Sequence, residues 1–385
     1  MPKIAIVAGE ASGDLLGSSL IRALKAARSD LTFIGIAGPK MQSAGAQSLF
    51  PIEKLSVRGY VEVLKHLPGL LKLRKNLFKQ LIAEKPAIFI GVDAPDFNFW
   101  LERRFKANNI PAIHYVGPSI WAWRGGRMAK IKRAVSHVLA LFPFEPALYQ
   151  AANVPVTYVG HPLADELPLQ PNLAAAREIL KLKQEAVVFA MLPGSRQSEV
   201  RQHAALFVNT AHIITKHYAN KTNQVQFLVP LITRETRDIF QHALHQSYVD
   251  YPDAELNMQI LFGHAHDAME AADMVIVASG TATLEAALLK KPMVITYRMP
   301  NVSWWILKRM RYQAFVGLPN ILAGKFLVPE LLQHDATPQN LADASLKLLN
   351  DADYLHEIKQ AFMKIHISLK QNSAEKAAKA ILAYL

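Results

Sequence analysis

The chain has 385 residues, 51% of them hydrophobic, no cysteine and a formal net charge of +12. That length accommodates two domains of about 150 to 200 residues each, and so apolar a composition excludes a mainly disordered protein. Without cysteine there is no disulfide, no thiolate catalysis and no cysteine zinc site.

In chain order, short β-branched runs alternate with helical stretches: Ile4 to Ala8, Thr32 to Ala37, Ala87 to Val92, Ala112 to Val116, His137 to Phe142 and Thr157 to Val159. This is the rhythm of a parallel α/β sheet. It breaks at Leu167-Pro168-Leu169-Gln170-Pro171-Asn172 and restarts with Val187 to Leu192, Val225 to Val229, Met258 to Phe262, Met274 to Ala278 and Met293 to Tyr297. The spacing predicts domains at 1–170 and 171–385, with a helical tail from Thr337 onward. The expected fold is therefore two Rossmann-like, doubly wound parallel-sheet domains. In such a pair the carboxyl ends of the strands are expected around one interdomain cleft, where ligands bind.

The motifs fall at those strand ends. The first strand runs into Gly9-Glu10-Ala11-Ser12-Gly13-Asp14, a Gly-rich turn without the dinucleotide fingerprint, so a classical NAD site is not expected. Ile88 to Val92 ends in Asp93-Ala94-Pro95-Asp96-Phe97-Asn98, two carboxylates at the mouth of a buried strand. Leu192-Pro193-Gly194-Ser195-Arg196 adds a guanidinium suited to bidentate phosphate binding. In Met274 to Glu285 an apolar strand meets Ser279-Gly280-Thr281-Ala282-Thr283 and then a helix. Gly280 allows close backbone approach, and the free amides of the first helical turn with the helix dipole suit a diphosphate. Glu285, one turn inside, repels phosphate but suits the cis-diol of a ribose.

Charge is uneven. Residues 1–170 hold 21 Lys and Arg against 12 Asp and Glu, and the remainder 22 against 19. A basic half implies an anionic partner. Around Leu64 to Lys79 the basic residues are interleaved with leucine rather than with stacking aromatics, and no nucleic-acid motif is present, so a membrane surface is expected and nucleic acid is not. The N-terminus enters a strand at once and meets acid at Glu10, without a signal-peptide pattern, and no apolar run approaches the roughly 18 residues of a spanning helix. The expectation is a cytoplasmic protein with at most peripheral membrane contact.

Taken together, Ala8 to Asp14, Gly91 to Asn98, His114-Tyr115-Val116-Gly117-Pro118-Ser119-Ile120-Trp121-Ala122-Trp123-Arg124, Leu192 to Arg196, Ser279 to Glu285 and Leu318-Pro319-Asn320 closely resemble the lipid-A-disaccharide synthase family. The motifs are collinear from about Ile4 to the C-terminal helices. One departure is Gly117, where the family often has Ser before Pro118. The resemblance implies an inverting glycosyltransferase of the GT-B architecture that joins UDP-2,3-diacylglucosamine to 2,3-diacylglucosamine 1-phosphate, giving the β-1,6 lipid A disaccharide 1-phosphate and UDP. It implies no metal or cofactor, and no Asp-x-Asp stands at these strand ends.

On that resemblance Asp96 is the expected base for the acceptor 6-hydroxyl, with Asp93, Glu10 and Asp14 as alternatives, and Arg196 with the Gly280 to Thr283 turn holds leaving-group charge. Ser12, Gly13, Asn98, Tyr115, Ser119, Trp121, Trp123, Arg124, Gly194, Ser195 and Asn320 complete the expected substrate site. A membrane segment is expected in Val63, Leu64, Leu67, Leu70 and Leu71 with Lys72, Arg74 and Lys75, broken by Pro68 and Gly69 into two short helices, and docking on the anionic inner-membrane surface. The last helix is expected to cross back to the first domain, which is compatible with a homodimer by helix exchange. An epimerase or another UDP-sugar transferase of the same fold, a dehydrogenase and a non-catalytic membrane scaffold explain fewer of these motifs.

Overall fold

The computed structural model describes residues 1–55, 60–118, 125–219, 224–252, 255–300, 304 and 314–385, with side chains for all of these except 60–66. Its chain divides into two compact units, Met1–Asp165 with Ser368–Leu385, and Glu166–Ile367. The expected boundary at 170/171 compares with this division after Asp165.

In the first unit seven strands form one sheet: β1 (Lys3–Ala8), β2 (Thr32–Ile36), β3 (Ala46–Ser48), β4 (Ile88–Val92), β5 (Ala112–Tyr115), β6 (His137–Ala140) and β7 (Val156–Tyr158). Their order is β3-β2-β1-β4-β5-β6-β7, and every pairing is parallel. The central strands β1 and β4 read as near-continuous apolar runs because helices cover both faces of a parallel sheet. In the second unit β8 (Val187–Leu192), β9 (Val225–Leu231), β10 (Met258–Phe262), β11 (Met274–Ala278), β12 (Met293–Tyr297) and β13 (Glu330–Leu332) take the order β10-β9-β8-β11-β12-β13, again all parallel. Two strands escape the sequence pattern, β3 and β13. Each is a three-residue edge strand, too short to show a period.

The tail is helical, as its pattern predicts: Pro338–Leu349, Ala352–Leu369 and Ser373–Leu382. The last helix packs against Ala11–Ala27 within the first unit. Its entry is fixed by Asp165, whose carboxylate accepts from the amides of Gln371, Asn372 and Ser373 at 2.9, 2.9 and 2.6 Å.

Pro68 and Gly69 do not break the chain into two helices. Tyr60–Ala83 is one helix with Pro68 inside it. Pro68 is exposed, and seven or more helical residues on either side hold the turn together. Val63 and Leu64 lie outside the residues whose side chains are described.

Candidate active site

In the first unit the strand order reverses between β1 and β4, and an open α/β sheet leaves a ligand crevice beyond the carboxyl ends at such a reversal. The turns after these two strands close on each other. A Cβ at Gly9 would come within 2.5 Å of the Ala94 Cβ, so only glycine fits. Asp93 and Ala94 both adopt the left-handed conformation, φ 53° and 44°, which swings the chain into helix Pro95–Ala107. Asn98 pins that turn from inside, donating through Nδ2 to the Asp93 carbonyl at 2.8 Å and the Val7 carbonyl at 3.3 Å.

Asp96 then projects outward, its side chain 85% exposed, with Oδ1 3.0 Å from Nη2 of Arg127. These two line a cavity of about 400 Å³ with Phe99, Gly126 and Lys130. A carboxylate, a guanidinium, an ammonium and a ring around one cavity suit a sugar phosphate: the cations meet the phosphate, the ring covers the sugar's apolar face and the carboxylate takes a hydroxyl proton. Beneath Phe99, at 4.8 Å, lies His114, whose Nδ1 is 2.6 Å from Glu102 Oε1. Both are fully buried, and burial pushes the Glu102 carboxyl up while His114 opposes the shift.

Several expected substrate ligands have other work. Asp14 is buried and its carboxylate accepts from the amides of Lys40 and Met41, both at 3.0 Å, capping helix Pro39–Ser43. Asn98 has no exposed surface, and Tyr115 is a core ring whose hydroxyl bonds to Ser373 and whose ionisation burial opposes. Gly13 is buried against Ala8 and Val92. Arg74 is not free for lipid headgroups: its guanidinium stacks 4.8 Å over the Trp100 ring and its Nη1 donates to the Asp96 carbonyl at 3.4 Å. Glu10 and Ser12 are exposed at the turn and Asp93 is half-buried there. Ser119, Trp121, Trp123 and Arg124 lie outside the described residues.

The second unit repeats the device, with its reversal between β8 and β11. After β11 the backbone of Gly280, at φ 153° and ψ −164°, is in a region open to glycine alone, and a Cβ there would meet nothing within 4 Å. Helix Thr281–Leu288 starts without a side-chain cap. Ser279, Gly280, Thr281 and Ala282 around this start are not buried, and the orphan amides of a first helical turn suit an anion. Thr283 is different, since it is buried and its hydroxyl donates back to the Gly280 carbonyl at 2.8 Å.

After β8 the corresponding amides are taken. Glu199 Oε2 accepts from Ser195 at 3.1 Å and Arg196 at 3.2 Å, and its Oε1 accepts from Arg196 Nη1 at 2.9 Å. Gly194 and Ser195 therefore shape the turn, and the guanidinium of Arg196, whose side chain stays 67% exposed, is the cationic group left facing solvent there. Glu285, partly exposed, has Oε1 3.5 Å from Nδ1 of His266.

Asn320 does not reach a sugar. It is fully buried, its Nδ2 donates to Val328 O and Glu330 Oε1, and its Oδ1 accepts from the amides of Leu327 and Val328, which uses every bond an amide side chain can make. Sequence reasoning in turn missed Arg127, Lys130, Phe99, Glu199 and His266. Phe99 and His266 follow strand ends by a few residues and were accessible to the carboxyl-end rule. Arg127 pairs across 31 residues and had no local signal.

Comparison with known proteins shows the family. The family model described as lipid-A-disaccharide synthetase matches residues 4–384. Curated lipid-A-disaccharide synthases of Methylobacillus flagellatus and Aromatoleum aromaticum are 61% and 56% identical to the chain, each over 100% of it and over 100% and 96% of their own lengths. The chain belongs to the lipid-A-disaccharide synthase family. It is accordingly a glycosyltransferase that forms the lipid A disaccharide in lipopolysaccharide biosynthesis. The fold is also that of the UDP-GlcNAc 2-epimerase from Neisseria meningitidis solved with UDP-GlcNAc, at a TM-score of 0.61 and 13% identity over 99% of this chain and 98% of that one. Two Rossmann-like domains in one chain of this fold are GT-B-like. Among the described residues no helix is long and apolar enough to cross a membrane.

Proposed function

We propose that this synthase takes a UDP-2,3-diacylglucosamine donor on its second unit and a 2,3-diacylglucosamine 1-phosphate acceptor on its first. The observation that carries the donor assignment is the Gly280 turn, an uncapped helix start with open space before it and a carboxylate one turn inside. Its amides and Arg196 receive the diphosphate, and Glu285 receives the ribose diol. Charge that builds on the leaving UDP meets donors already in place, so no reorganisation is required as the bond breaks.

Asp96 is the base. It takes the proton of the acceptor 6-hydroxyl as that oxygen attacks the anomeric carbon opposite UDP, which inverts the centre and gives the β-1,6 linkage. Arg127 orients the carboxylate, and Lys130 beside it receives the acceptor phosphate. Exposed Leu67 and Leu71, with Leu70, Lys72 and Lys75 on the helix Tyr60–Ala83, place apolar and cationic groups together, as docking on an anionic cytoplasmic membrane face requires. A homodimer formed by exchange of the helix Ser373–Leu382 is compatible with its packing in the first unit. The test is to incubate the pure protein with both lipid sugars and seek the disaccharide phosphate and UDP by mass spectrometry; neither product forming overturns the reading.

A further inference from the structure

His266 lies between two carboxylates on two helices. Its Nε2 is 3.4 Å from Glu270 Oε2, one turn along its own helix Ala265–Ala271, and its Nδ1 is 3.5 Å from Glu285 Oε1 on the helix Thr281–Leu288. A neutral imidazole has one N–H and one lone pair, so it must turn a lone pair toward one of these oxygens. Only the imidazolium offers a donor to both. The second carboxylate is itself fixed, because Glu270 Oε1 accepts from the Asn172 amide at 2.8 Å.

Other charges nearby do not change this balance. Asp267 on the same helix is paired with His264 at 2.7 Å. The helix Leu173–Ile179 packed against it carries Arg177, which is paired with Asp273 at 2.7 Å, and Glu178. The strands β8 and β9 beneath have no titratable side chain. Glu285 first, then Glu270 and Asp267, raise the His266 pKa above its usual value, against partial burial.

We infer that His266, as the imidazolium, is a donor-site positioning residue: it holds Glu285 for the ribose and offsets the charge that this carboxylate would otherwise set against the diphosphate at Gly280. The inference rests on the ribose role proposed for Glu285. Its consequence is a donor affinity that is full while His266 is protonated and declines as pH rises through its raised pKa. A cationic replacement, His266→Arg, removes that dependence and keeps the affinity.

UDP binding by titration calorimetry from pH 6 to 9 on the whole protein and its variants tests this, with the nucleotide's own titration cancelling between variants. His266→Gln should bind UDP roughly fivefold more weakly than the parent at pH 6, the scale of a half-exposed ion pair, and match it at pH 9. His266→Arg should bind as the parent does at pH 6 and more tightly at pH 9. If His266→Gln binds like the parent at every pH, while Glu285→Ala is weakened, the inference fails and the ribose reading stands. If Glu285→Ala binds UDP unchanged, the ribose reading itself fails.

Discussion

Asp96 and Arg127 form an ion pair, Oδ1 to Nη2 3.0 Å, at a cavity mouth where the aspartate is open to solvent and the arginine largely covered. The covered guanidinium points the exposed carboxylate. Asp96→Asn keeps the shape and the contact but accepts no proton, so turnover should fall by roughly a hundredfold or more with UDP affinity unchanged. Arg127→Met should leave the base present but unaimed, lowering kcat by about tenfold. Steady-state kinetics with both lipid sugars distinguish these, and an Asp96→Asn enzyme with most of its activity would move the base to Asp93 or Glu10.

Gly280→Ala puts a side chain on a backbone at φ 153°, which costs on the order of 1 to 3 kcal/mol of strain or forces the turn to rearrange. Since a Cβ there meets open space, any steric conflict is with a ligand rather than with the protein. Donor KM should rise well beyond what the change in thermal stability accounts for; a purely thermal effect would remove the diphosphate assignment.

Asn320→Ala takes their side-chain partner from the amides of Leu327 and Val328 and from the Val328 carbonyl in a buried loop, while Glu330 Oε1 keeps the amides of Val316 and Gly317, so destabilisation of about 2 to 4 kcal/mol is expected. Denaturant unfolding reads that loss, while kcat per folded molecule should be nearly that of the parent. A specific collapse of kcat would return Asn320 to the substrate site.

Leu67 and Leu71 are exposed, so Leu67→Ser with Leu71→Ser should leave the unfolding midpoint almost unchanged. Binding to vesicles containing anionic lipid should drop, and KM for acylated substrates should rise. Full vesicle retention by this folded double variant would rule the segment out as the membrane contact.

His161 is held by its own neighbourhood, accepting from the Leu163 amide at 3.2 Å, and burial pushes its pKa down to about 4 while Asp165 opposes. The unfolded chain protonates this ring near pH 6.5, so the contribution is complete above that value and is lost as pH falls toward 4, up to about 3 kcal/mol. His161→Asn keeps an acceptor without titrating. Its unfolding free energy should fall less steeply between pH 6.5 and 4, by about one proton of slope; equal slopes would contradict the assignment.

The strand pattern was legible because parallel strands buried on both faces are written as unbroken β-branched runs, as in Met274 to Ala278. The Gly280 turn was legible for the same local reason. What failed was the direction of polar side chains. Asn98, Asn320 and Asp14 sit in motifs at or near strand ends, yet each turns inward to satisfy backbone groups, and a sequence does not reveal which way a side chain in a turn points. Arg74 reads as a surface cation until Trp100, 26 residues on, offers its ring.

Asp165 caps a helix that begins more than 200 residues later. On the ribosome, then, the first unit to start is the last to finish: its Ala11–Ala27 face waits uncovered until residues 368–385 emerge, while Glu166–Ile367 already has all its strands. Loss of residues 368–385 should damage the unit that contains residues 1–165, and a chaperone holding the nascent chain would find its client surface there.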